Sequence, residues 1–95
     1  MSGTLDAMIL EKAVALWRDP AKRLRGNTKM DGRMCAMDVL MEAQSQIGVY
    51  RFDLDQLAGL VGIPFVRIIH INDHTPFGQR YLYWRMKRAL KKARA

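Results

Sequence analysis

The sequence predicts an all-α fold: a compact single domain over residues 1–95 with four to five short helices, a helix-turn-helix-like pair at 53–72 and a basic C-terminal helix at 76–95. Three observations predict it. Apolar residues recur at three- and four-residue intervals through most of the chain, the period of a helix with one buried face. Pro64 and Pro76 stand where helices begin, and no run alternates apolar and polar residues as a half-buried strand does. The length of 95 residues, with 49% hydrophobic and 26% charged side chains, suits one modest core that folds alone or as a homo-oligomer.

In the first helix Leu5, Met8, Ile9, Ala13, Leu16 and Trp17 mark the apolar stripe, Ser2 or Thr4 is available as N-cap, and Pro20 ends or bends the helix. The next helix is expected from near Asp31. It carries Met34, Met37, Leu40, Met41 and Ala43 as the central core segment and is closed by Gly48. The methionines serve as adaptable core filler or, for some of them, as a plastic surface for a partner. Tyr50, Arg51 and Phe52 make no more than a short extended connector.

Asp53 is placed to cap the third helix, with Gln56 three residues on completing a capping box, and Leu54, Leu57, Ala58 and Val61 form its stripe. Gly62 ends it in the left-handed conformation and Pro64 opens the fourth helix, whose inward residues are Ile68 and Ile71. Small Ala58 at the crossing and glycine in the turn are what a helix-turn-helix requires. Asn72 and Asp73 then fall in a turn, their short side chains bonding nearby amides. Thr75 and Pro76 cap and start the last helix, with Leu82, Met86 and Leu90 facing inward.

The segments DGRMCAMDVLMEA and VRIIHINDHTPFGQRYLYWRMKRAL carry a family resemblance. Through Cys35, Ala36, Met37 and Leu40, then Ile71, Asn72 and Asp73, the chain resembles an uncharacterised family of small helical bacterial and phage proteins. That family has a Cys-Ala-Leu-Gly-Ala-Leu helix, a Trp-Asn-Asp turn and a final helix. The likeness covers roughly residues 31–90, with Asp38 in place of the family's glycine and Ile71 in place of its tryptophan. It implies an all-α fold and a bacterial or phage setting, and brings no catalytic residues with it.

Charge points to the surface most apt for use. The net charge is +7, and from Arg80 onward Arg80, Arg85, Lys87, Arg88, Lys91, Lys92 and Arg94 occur with no acid, so the whole excess sits on the last helix. Tyr81, Tyr83 and Trp84 are interleaved at its start, where aromatics stack on bases or guanidinium planes or anchor a protein interface. A second basic zone, Arg18, Lys22, Arg23, Arg25, Lys29 and Arg33, is diluted by Asp19 and Asp31. Both zones suit an acidic partner.

Other chemistry is thinner. The outward positions of a recognition helix would hold Phe65, Val66, Arg67, Ile69 and His70, of which only Arg67 and His70 can hydrogen-bond a base. His70 and His74 are two imidazoles with a predicted helix break between them, short of the three or four ligands of a stable zinc site. Cys35, in the first turn of a helix whose dipole lowers a thiol pKa, could form a Cys-His-Asp arrangement with a histidine and Asp73, but its apolar neighbours mark it as a buried small hydrophobe. No Gly-rich phosphate loop is present.

No catalytic residue, metal or cofactor is therefore expected. A single cysteine suits a reducing compartment, the cytoplasm by default, and no apolar run in the sequence approaches membrane-spanning length. The expectation is a non-enzymatic basic module. It contacts nucleic acid through Arg80, Arg85, Lys87, Arg88, Lys91, Lys92 and Arg94, with Arg67, Tyr81 and Trp84. The alternative is a phage-encoded protein-interaction module or inhibitor of the anti-defence type, docking on an acidic or nucleic-acid-binding surface of a host complex.

Overall fold

The apolar periodicity becomes five α-helices among the residues that the computed structural model describes, 3–24, 33–48 and 51–95. They are α1 (Gly3–Trp17), α2 (Ala36–Gln46), α3 (Leu54–Val61), α4 (Phe65–His74) and α5 (Gly78–Arg94), with a 3-10 turn at Pro20–Lys22. The fold is all-α. Among the described residues no strand forms, and the one β-type pairing is an isolated bridge between Arg23 and Met34.

α1 packs chiefly on α5 and α2, α4 lies on α5, and α3 touches α2, α4 and α5. The resulting body measures 36 × 22 × 22 Å. Ile9, Leu10, Trp17, Val39, Leu40, Leu57, Ile68, Leu82 and Met86 are wholly buried at its centre, so the segment around Cys35 to Met41 is the hub of the core as expected. Three expected core positions are not in it: Met8 and Met41 are each 47% exposed, and Leu54 also faces solvent. Their helices bury Leu10, Val14 and Val39 instead, since an apolar stripe wider than the contact leaves one edge in water.

Helix starts are where the structure departs most from expectation. α1 already includes Thr4, so Thr4 is not at the N-cap position, and Ser2 lies outside the described residues. α2 starts at Ala36, not near Asp31, which is outside the described residues. The preceding Arg33 and Met34 are extended because Met34 N–H donates to Lys22 O (2.8 Å) and Leu24 N–H donates to Met34 O (3.0 Å). Cys35 is the N-cap, its Sγ accepting from Asp38 N–H at 3.4 Å.

Asn72 explains why α2 begins there. It is a residue of α4 rather than of a turn, it is buried, and its Oδ1 accepts the Ala36 N–H (3.1 Å). Its Nδ2 donates to Leu24 O (3.0 Å) and to Asp73 Oδ1 (2.7 Å). One amide thus satisfies backbone groups from two distant segments, as burial of a polar side chain requires. Gln44 plays a similar part, donating to Phe52 O (3.1 Å) and accepting from Phe52 N–H (2.9 Å) to hold the connector before α3.

The α3–α4 pair follows the sequence closely. Asp53 and Gln56 make both bonds of the capping box at 2.9 Å, and Gly62 adopts φ 81°. The two helix axes bend by 71° across the turn, with Ala58 buried at the crossing. α5 begins at Gly78, not at Pro76. Its N-cap position is Phe77 rather than Thr75, whose Oγ1 donates back to Ile71 O (2.7 Å). Gly78 is required at this start, since a Cβ there would overlap the Ile71 carbonyl. No single helix among the described residues is long and apolar enough to cross a membrane.

Candidate functional site

α5 is amphipathic in a particular way. Gly78, Leu82, Met86 and Leu90 are buried, and at 100° per residue the opposite side carries residues 77, 80, 84, 88 and 91, with 81 and 92 toward one edge of it. This outward face has an aromatic N-terminal half, Phe77, Tyr81 and Trp84, and a cationic C-terminal half, Arg88, Lys91 and Lys92. Phe77 is 73% exposed, Trp84 50% and Tyr81 40%, so water-facing aromatic surface extends over two turns. The Tyr81 and Trp84 ring centroids are 6.1 Å apart, with the Arg85 guanidinium 5.8 Å from the Tyr81 centroid and the Arg88 guanidinium 5.5 Å from that of Trp84.

The cationic half meets the α3–α4 turn. Arg85, half-buried, donates to Tyr81 Oη (2.8 Å) and reaches the Val61 carbonyl (3.4 Å), which pins the guanidinium beside Gly62. On one side of it a cleft of about 350 Å³ contains Arg88 and Lys92; on the other, a cleft of about 370 Å³ contains Arg67 and Tyr81. The lining of these two clefts holds four cations, Arg67, Arg85, Arg88 and Lys92, and no carboxylate. Like charges held this close leave a field that an anion relieves.

The remaining predicted residues are dispersed. Arg80 is exposed beside Phe77, Tyr81 and Trp84 and also borders a cleft of about 560 Å³ containing Arg23, Pro20 and Tyr83. Lys87 stands on the flank, its Nζ 5.7 Å from the Tyr83 ring, and Lys91 is exposed on the outward face. Arg94 turns toward α1 and pairs with Glu11 at 2.7 Å, so part of its charge is answered within the molecule.

Phe77 carries no charge and precedes the basic run, so the sequence does not single it out, although it lies one turn before Tyr81 on the same face. Of the second basic zone, Arg25 and Lys29 lie outside the described residues. Arg23 has a structural position: its Nε donates to Trp17 O (3.1 Å), and its guanidinium lies 5.5 Å from the Trp17 ring and 4.5 Å from that of Tyr83. Burial pulls its pKa below the ordinary value, opposed by Tyr83 and Asp19 and assisted by Arg80.

The would-be recognition surface of α4 exposes Val66 (75%), Arg67, His70 and His74, while Phe65 and Ile69 are half-buried against the core. α4 runs unbroken through His74, contrary to the expected break, so the two histidines share a face with ring centroids 5.2 Å apart. Among the described residues no third histidine, cysteine or carboxylate joins them in a metal-binding group. Cys35 is buried, and burial pushes its thiol up to about 11, outweighing the backbone amides that favour the thiolate. The sulfur is therefore a protonated capping atom at neutral pH and not an activated nucleophile.

Comparison of the chain with protein-family models, with curated proteins and with solved structures finds no match.

Proposed function

We propose that the chain is a small, basic, non-enzymatic binding module that contacts nucleic acid mainly through phosphate contacts made by α5. The observation that carries the reading is the gathering of Arg67, Arg85, Arg88 and Lys92 around the α3–α4 turn with no carboxylate in the lining. Phosphate oxygens accept hydrogen bonds from guanidinium and ammonium groups in many geometries, so such a cluster binds backbone without reading sequence. The α3–α4 pair acts as scaffold, because exposed Val66 and half-buried Phe65 and Ile69 leave α4 few groups that can bond base edges. A reducing compartment such as the cytoplasm suits the free thiol of Cys35.

The test replaces Arg88, Lys91 and Lys92 together by glutamine. Binding to unrelated oligonucleotides should weaken about equally, and the salt dependence should become shallower by about one unit for each phosphate no longer neutralised. Arg67→Ala should leave sequence preference unchanged. The second reading, a phage-encoded inhibitor or other interaction module on an acidic host surface, draws on the exposed aromatic patch of α5. A triple variant that binds nucleic acid as the native protein does overturns the electrostatic reading, and the interaction module takes precedence if the native protein binds no nucleic acid and Trp84→Ala releases a captured protein.

A further inference from the structure

We infer that the nucleic acid this surface takes is single-stranded, with unpaired bases stacking on Phe77, Tyr81 and Trp84 while the phosphates pass to Arg80, Arg85 and Arg88. This inference rests on the nucleic-acid reading above and adds the strand state to it. Three observations carry it. The three rings occupy one face of α5 over two helical turns, about 10 Å of axial rise. They keep 40% to 73% of their surface in water even with the Arg85 and Arg88 guanidinium groups in place, although aromatic area is what a folded chain gains most by covering.

The third observation is their interleaving with cations. Arg80 borders the same patch, and the Arg85 and Arg88 guanidinium groups lie 5.8 Å and 5.5 Å from the Tyr81 and Trp84 ring centroids, so a base and its own phosphate find partners a few ångströms apart. In a duplex the base faces are covered by their neighbours and only edges and backbone are offered. Duplex binding would use the cations and leave the rings idle. An unpaired strand uses both, because every base has a π-face and stacking on an aromatic ring tolerates any sequence.

A short labelled oligothymidylate, its RNA counterpart and a duplex of mixed sequence are the probes, compared by fluorescence anisotropy at one salt concentration. The single strands should bind at least about tenfold more tightly than the duplex. They should also quench the emission of Trp84, which is open to solvent, whereas Trp17 is wholly buried. DNA and RNA binding alike is the expected result for stacking without contacts to the 2′-hydroxyl. Trp84→Ala and Phe77→Ala should each cost single-strand affinity about fivefold to a hundredfold, with little change in salt dependence.

Trp84→Leu and Tyr81→Leu keep apolar bulk at exposed positions and remove the π-face, so they separate stacking from simple apolar docking. Circular dichroism establishes that each variant is folded. Equal affinity for duplex and single strand, or leucine variants that bind like the native protein, overturns the inference while leaving the phosphate reading standing. Failure of all three probes to bind at low salt overturns that reading as well.

Discussion

Asn72 is where three stretches of backbone meet, because its amide holds the Ala36 N–H, the Leu24 carbonyl and its neighbour Asp73. Asn72→Ala leaves the buried Ala36 N–H and the part-buried Leu24 carbonyl without this partner, and the fully buried group alone costs about 1–3 kcal/mol, so chemical unfolding should show a loss of about 1–4 kcal/mol. That is a large part of a small domain's stability. Cys35 gives a second residue-scale prediction. Its thiol is raised from 9.0 to about 11 in the fold, so between those values the folded state holds a proton that the unfolded chain releases. Its contribution is intact below about pH 9 and is lost as pH rises toward 11, about 2–3 kcal/mol in all. Cys35→Ala should flatten stability over that window relative to the native chain, and an unchanged slope would remove the argument. Neither role is visible in the sequence: the Asn72 partners lie 36 and 48 positions away, and an amide of that spacing reads locally as a turn residue.

At the scale of elements, what is legible in the sequence is what is local. The Asp53–Gln56 box, the Gly62 turn and the inward stripe of α5 all follow from contacts within four residues, and each is found as expected. What is not legible depends on neighbours. α2 starts late because Met34 bonds to Lys22 and Leu24 at the end of the 3-10 turn, and α5 starts late, at Gly78, where the chain passes close against the Ile71 carbonyl of α4. The partly exposed stripes of α1 and α2 belong to the same class, since periodicity names a face but not how much of it a neighbour covers. In the aromatic half of the candidate surface Tyr81 and Trp84 stand out by their place among cations, whereas Phe77 joins them only once the helix face is built. The Gly78 contact is testable. Gly78→Ala should destabilise by about 3 kcal/mol or more, the upper range for overpacking, because the opposing atom is a backbone carbonyl that cannot swing aside. A variant that unfolds like the native protein would mean the α4–α5 corner is looser than its geometry requires.

Across the whole molecule, the excess of cations in the sequence falls on one helix, and three of its seven, Arg85, Arg88 and Lys92, gather with Arg67 where that helix meets the α3–α4 turn. The Arg94–Glu11 pair joins the end of α5 to α1, so part of the charge at that end of the helix is answered within the molecule. The acidic residues lie elsewhere in the sequence, with none after Asp73. The central claim is that this asymmetry holds phosphate, and counterion release measures it. Affinity of the native protein for an oligonucleotide is followed from low to physiological salt. The account predicts that log affinity falls linearly with log salt with a slope of about −2 to −4, as about four phosphate contacts to a single strand require. A slope near zero, or no binding at the lowest salt, would contradict it.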